Sequence, residues 1–112
     1  MSSPRLAQLE SRYAALRQQL ADIGYFSHGS VYRRPAGQPG TRFTWSTKAQ
    51  AKTVSLALSE EQADWLEKAI AEHHRVKKLL ADMRRLSRQI MRARFPDTER
   101  RRPLNKKVLR LI

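Results

Sequence analysis

Arg42-Phe43-Thr44-Trp45-Ser46-Thr47-Lys48-Ala49-Gln50-Ala51-Lys52-Thr53-Val54-Ser55-Leu56-Ala57-Leu58 is the stretch on which the fold turns. Its first seven residues alternate apolar-or-Thr with polar side chains and are rich in β-formers. Thr53 to Leu58 alternates again, and Ala49-Gln50-Ala51 is a short and unusual connection between the two runs. A period of two over such lengths predicts half-buried strands. Parity puts Phe43, Trp45, Val54, Leu56 and Leu58 on one face. It puts Tyr32, Arg34, Arg42, Thr44, Ser46, Lys48, Thr53 and Ser55 on the other. The first face suits packing on a helix; the second suits solvent or a ligand. Upstream, Ser30 to Arg34 predicts a first strand. Pro35-Ala36-Gly37-Gln38-Pro39-Gly40 is dense in turn residues and should reverse the chain.

On either side the period changes to that of a helix. Residues 1–23 place Leu6, Leu9, Tyr13, Leu16, Leu20 and Ile23 at alternating steps of three and four, an unbroken heptad seam. Ser2 or Ser3 can cap this helix, Pro4 fits its first turn, and Gly24 offers a stop. Residues 59–95 read as a second, long helix. Ser59-Glu60-Glu61-Gln62 is a capping box. Acids dominate residues 60–72 and bases dominate 73–95, which complements the helix dipole. Val76, Leu79, Met83, Leu86, Ile90 and Ala93 form a second seam, while Trp65, Leu66, Ala69 and Ile70 make a broader apolar face suited to covering the sheet. Pro96 should end the helix near Phe95. The expected fold is therefore α+β. An N-terminal helix pairs antiparallel, coiled-coil fashion, with a long C-terminal helix, and a three-stranded antiparallel meander over 24–58 lies between them. Residues 96–112 form a basic tail with an apolar end.

The chain has 112 residues with 23 Lys and Arg against 10 Asp and Glu, a net charge of +13. Such an imbalance works against folding through self-repulsion and is the electrostatic footprint of a polyanionic partner. The purest positive stretch is the meander. Residues 24–58 carry Arg33, Arg34, Arg42, Lys48 and Lys52 and no acid at all. A merely soluble surface would mix signs. Tyr32, Arg33, Arg34, Arg42, Thr44, Lys48 and Lys52 are therefore the candidate nucleic-acid contacts of the meander. Arg100, Arg101, Arg102, Lys106 and Lys107 of the tail would add sequence-independent affinity. Arg75, Lys78, Arg85, Arg88 and Arg92 on the long helix could track phosphates, or could form a solvated exterior. DNA is the favoured partner. RNA is one alternative, read by stacking on Tyr32. The other is a coiled-coil adaptor whose basic surface meets an acidic protein.

Other chemistries find little footing. The sequence contains no cysteine, which excludes disulfides and thiolate metal sites and fits a reducing cytoplasm. His73 and His74 are adjacent on a helix and point about 100° apart, so they cannot chelate one metal together, and His28 stands alone. The carboxylates Glu60, Glu61, Asp64 and Glu67 crowd one helix start, and no nucleophile with a matching base is visible. Neither an enzyme nor a bound cofactor or metal is expected. No segment approaches the ~20 apolar residues of a membrane span, and the N-terminus lacks the apolar core of a signal peptide. The long helix, of about 54 Å, outruns the first, of about 30 Å. The exposed remainder of its seam would suit a homodimer through the heptad helices.

A second line comes from likeness. Gly29-Ser30, then Ala36-Gly37-Gln38-Pro39-Gly40-Thr41-Arg42-Phe43, then Thr44 to Leu56 and the helix from Ser59 follow a recognisable order. From about Gly29 to Leu80 the chain resembles a family of small uncharacterised bacterial proteins often encoded beside transposases and other mobile elements. That family shows a Cys-Gly-Lys-Pro-x-Cys-Arg-Cys knuckle where this chain has Ala36, Thr41 and Phe43 in place of the cysteines. Any metal or thiol role of the knuckle is thereby lost here. The resemblance implies a mobile-element setting, with a transposase or recombinase as partner, and favours DNA over RNA. The order of sheet and helix is also similar to the small arm-site binding domains of phage-type integrases, in which a three-stranded sheet enters the major groove.

Overall fold

A computed structural model describes residues 3–96 together with 106 and 107. Its elements follow in the order α1 (Pro4–Ala21), β1 (Ser30–Arg33), β2 (Phe43–Ala49), β3 (Lys52–Leu58) and α2 (Glu60–Arg94). The architecture is α+β, as the two hydrophobic periods require. The chain divides into two compact units. One holds α1 and the part of α2 from Lys78 onward; the other runs from Asp22 to Lys77.

In the first unit, Ser3 caps α1. Its Oγ accepts from the Leu6 amide at 3.0 Å, and its carbonyl accepts from Ala7. Pro4 follows at the first helical position, where no amide donor is needed. Leu6 and Leu9 are buried, and Tyr13, Leu16 and Leu20 are half-buried, so the seam points inward along its length. On α2 the facing residues are Leu79 and Leu86, both buried, with Met83, Ile90 and Ala93 half-buried. Glu10 pairs with Arg94 at 2.6 Å, whereas Arg12, Ala15 and Leu16 share a shallow depression with Asp82, Arg85, Leu86 and Gln89. Advance along α1 thus matches retreat along α2, and the pair is antiparallel. Helix α1 ends at Ala21, ahead of Gly24. Gly24 does not act as a left-handed stop; its amide donates to the Glu72 carboxylate at 2.9 Å.

The second unit holds the sheet, in the order β1-β2-β3, with both pairings antiparallel. Its register aligns Val31, Trp45 and Leu56 in one row and Arg33, Phe43 and Leu58 in another. The alternate rows hold Tyr32, Thr44 and Ala57, and Ser30, Ser46 and Ser55. Helix α2 begins with the capping box. The Gln62 amide donates to Ser59 Oγ at 3.1 Å, and Gln62 Oε1 accepts from the Ser59 amide at 2.8 Å. Ala69 and Val76 are buried on the same stripe as Leu79 and Leu86, and Ala63 is buried on an adjacent face of the helix. Ala69 and Val76 thus carry the buried seam toward the N-terminal part of the helix. Trp65 departs from the expected apolar face: it is 53% exposed, with Tyr25 tilted against it.

A short strap between α1 and β1 fastens this unit. Ser27 donates its amide to the Ala69 carbonyl at 3.1 Å, Phe26 stacks on His73, and the His28 carbonyl accepts from the Trp45 indole at 2.9 Å. Gly29 then turns into β1 with φ of 100°. A Cβ there would lie 2.5 Å from Trp45 Nε1 and 2.7 Å from the Ser46 carbonyl oxygen. Gly29→Ala therefore meets a left-handed backbone and a steric clash together. It should cost at least ~2 kcal/mol in urea unfolding followed by tryptophan fluorescence.

The strap also carries a pH signature. The Gly24 amide first, and Arg75 second, hold the Glu72 carboxyl below the usual carboxylate range. A carboxyl depressed in the fold stabilises it above the pH at which the unfolded chain titrates. That contribution disappears as pH falls through the lowered value. Glu72→Gln should lower stability at neutral pH and flatten its decline in acid, as read by unfolding midpoints across a pH series.

Candidate nucleic-acid interface

The acid-free stretch folds into a surface with two sides, and the register decides which cation lies on which. Arg33 shares its row with Phe43 and Leu58 and so projects on the apolar side. There its guanidinium meets both Asp64 and Glu67 of α2, each at 2.6 Å, and lies 5.2 Å from the Phe43 ring centroid. The two carboxylates raise its affinity for the proton still further. Arg33 thus fastens β1 to α2, and its charge is already matched. This moves it out of the set of cations presented on the polar face.

Arg34 and Arg42 behave differently. They continue the β1–β2 ladder as opposite neighbours, since the Arg34 amide donates to the Arg42 carbonyl at 2.6 Å. The Nε of Arg34 donates to the Thr41 carbonyl at 3.1 Å, and the Nε of Arg42 donates to the Arg34 carbonyl at 3.3 Å. Arg42 also lies 5.2 Å from the Phe43 ring centroid, which draws it toward the end of the sheet. Both stems are therefore tethered through Nε. Their terminal nitrogens have no hydrogen-bond or carboxylate partner among the described residues. Gly40 has φ of 106°, and a Cβ there would come within 3.2 Å of the Arg34 guanidinium carbon. The turn residue thus leaves room for the fork.

The polar face continues from these arginines along the strands. Tyr32 is 56% exposed beside half-buried Thr44. Ser30 and Ser46 face each other with hydroxyls 3.5 Å apart. Lys48 sits opposite Thr53 at the far end of this face, whereas Lys52, opposite Ala49, has the parity of Val54 and Leu56 and so, like Arg33, leaves the set of cations on the polar face. Lys48 and Lys52 are exposed and form no ion pair among the described residues. From Arg42 to Lys48 the face runs about 20 Å, and three strands span about 10 Å. On the helices Arg75 is matched by Glu72, Arg85 by Asp82 and Arg94 by Glu10, whereas Lys78, Arg88 and Arg92 form no ion pair among the described residues. Lys106 and Lys107 are exposed, and Arg100, Arg101 and Arg102 lie outside the described residues.

Among the described residues no three of His, Asp and Glu come together as a metal site. His28 and His73 approach within 6.3 Å, centroid to centroid, but beside Trp45 and Phe26 rather than a carboxylate. No described helix is long and apolar enough to cross a membrane. The chain matches no protein-family model, no curated protein and no solved structure.

Two features leave little or no mark in the sequence pattern. The strap shows only a faint trace, the aromatic pair Tyr25-Phe26 after a glycine. The β2–β3 turn is the other. Gln50 and Ala51 have φ of 51° and 64°, the two left-handed positions of a type I′ hairpin normally filled by Asn and Gly. The turn holds Lys48 and Lys52 at the sheet's end at a cost in backbone strain. Replacing both residues, Gln50→Asn with Ala51→Gly, should stabilise the fold by about 1 kcal/mol, the left-handed penalty relieved less the added entropy of glycine. Thermal melts of the two proteins would check this.

Proposed function

We propose that the chain is a non-enzymatic nucleic-acid-binding protein that presents the polar face of its sheet to duplex DNA. The observation that carries this reading is the pair Arg34 and Arg42. Like charges directly opposite each other on neighbouring strands cost stability. These two are nonetheless tethered side by side by their own backbone, with terminal nitrogens free among the described residues and no acid in the surrounding residues 24–58. A fork fixed in advance loses little freedom when it meets a phosphate or a guanine edge. Dimensions favour the major groove. It is about 12 Å wide and admits a face about 10 Å across, whereas the minor groove, about 6 Å wide, does not.

Tyr32, Thr44 and the serine row then lie where bases are read, with Arg34 and Arg42 at one end and Lys48 at the other, where phosphates pass. The tail from Arg100 to Lys107 supplies further cations. A role as accessory or regulatory factor of a mobile element, with a transposase or recombinase as partner, rests on the resemblance of residues 29–80 alone. RNA is the second reading, and exposed Tyr32 favours it, since an aromatic on an open face can stack on an unpaired base.

The test is a binding series over salt concentration with duplex DNA, single-stranded DNA and structured RNA. Duplex should bind most tightly. Arg34→Ala with Arg42→Ala should weaken binding to duplex and lower the log–log salt slope by about one for each phosphate that is no longer neutralised. Tighter binding to single strands, together with weakening on Tyr32→Ala, would favour the RNA reading. Indifference to every nucleic acid at low salt would leave an acidic protein as the partner.

A further inference from the structure

The sheet has two edges, and they are built differently. Strand β1 has four residues, carries Arg33 tied to α2, and runs into Pro35. Short length, charge and proline are the usual devices that close an edge. Strand β3 has seven residues with neither proline nor left-handed break, and six of them are exposed. Beyond its ladder with β2, it makes no backbone hydrogen bond to any described residue. On its apolar side Val54 and Leu56 are 45% and 55% exposed. Natural proteins rarely leave a regular edge of this length open.

The sequence of β3 suits one occupant, its own copy. Set two β3 strands antiparallel about Ser55, and Val54 of each lies opposite Leu56 of the other. Thr53 then faces Ala57, Lys52 faces Leu58, and Ser55 faces itself. Parity is conserved, so both Val54–Leu56 pairs fall on the apolar side and shield one another. Charge points the same way. A chain of net charge +13 repels its copy over most of its surface. Strand β3 has a single charge, Lys52, at its first position. Antiparallel pairing puts the two lysines at opposite ends, about 20 Å apart, well beyond the screening length of ~8 Å at physiological salt. Parallel pairing would set them side by side.

We infer that β3 is a self-association edge: two copies of this chain join through antiparallel β3 strands, centred on Ser55, into one six-stranded sheet. The two-fold axis is perpendicular to that sheet, so both polar faces turn to the same side. The pairing stands independently of the nucleic-acid reading. If that reading also holds, the dimer offers a two-fold cationic surface to a duplex.

Because the chain has no cysteine, cross-linking tests the register directly. In the intact protein without nucleic acid, light scattering at up to ~1 mM should give twice the chain mass, a range that reaches weak pairing. Ser55→Cys should form a disulfide-linked dimer under mild oxidation, since a residue on the axis meets its own copy at bonding distance. Thr53→Cys, opposite Ala57 of the other copy, should not. Leu56→Lys places a charge in the shared apolar cluster and should restore the single-chain mass with an unchanged circular dichroism spectrum, because Leu56 is exposed within one chain. A single-chain mass for the unaltered protein at ~1 mM would overturn the inference. So would equal cross-linking of the two cysteine variants, or a doubled mass that survives Leu56→Lys, which would place the contact on the helices. A monomer that still binds duplex leaves the nucleic-acid reading intact, and a β3 dimer that ignores nucleic acid leaves only the pairing.

Discussion

The apolar stripe of α2 is the constraint to which every other element answers. At 35 residues the helix is about 52 Å long, and its stripe carries buried Ala69, Val76, Leu79 and Leu86. A rod with one long apolar face cannot remain solvated on that face. Helix α1, at 18 residues, is about 27 Å long and answers only the C-terminal part. The N-terminal part needs a different cover, and the residues between the helices provide it. The strap bonds to Ala69 and Glu72, and β1 is held to Asp64 and Glu67 through Arg33. The small residue Ala69 on this part of the stripe allows the strap to approach closely enough for Ser27 to bond its carbonyl.

This division of labour explains where the charge is left over. The acids that take partners, Glu10, Asp64, Glu67, Glu72 and Asp82, all lie on the two helices. They reach Arg94, Arg33, Arg75 and Arg85, which lie beside the helices or on them. The meander has no acid of its own. A cation on its apolar side can reach the carboxylates of α2, as Arg33 does, but a cation on its polar side cannot. Parity thus leaves Arg34, Arg42 and Lys48 without a carboxylate on the polar face, in addition to the unmatched cations of the helices. Arg34 and Arg42 are held by backbone carbonyls, which fix direction without neutralising charge. That combination belongs to a surface kept ready for an anion.

Much of this was legible in the residues, because the deciding signals are local. The capping box at Ser59 and Gln62, the cap at Ser3, both heptad seams and the parity of β2 and β3 depend on neighbours within a few positions, and each took its expected form. What escaped depends on contacts distant in sequence. The partners of Arg33 lie 31 and 34 residues away, and no local pattern announces them. The strap is irregular and so has no period to detect. The turn at Gln50 and Ala51 misled for a different reason. Its backbone is the common hairpin form, but its residues are not those that adopt it freely, so the strands had to impose the geometry on them.

The apolar side of the sheet shows the same logic at its limit. Helix α2 is a single rod about 10–12 Å across with its side chains, and a three-stranded sheet is about as wide between its outer strand axes. Phe43 in β2 is buried, and Trp45 is half-buried. Along β3 the same alternation continues through Val54 and Leu56, yet burial stops. A strand that needed only to face solvent on both sides would have no use for this alternation, since period-two apolar spacing is the pattern of a strand with one covered face. The residues of β3 therefore specify a burial that the described residues of one chain do not provide. Its edge and its apolar face both lack a partner among those residues, and a second strand laid alongside would answer the two needs at once. In a chain so strongly positive, such a partner must approach where charge is lowest, and β3 has one charge in seven residues. The same separation that leaves the polar face cationic leaves this edge nearly neutral, so binding a polyanion and pairing with a like-charged copy need not compete for the same surface.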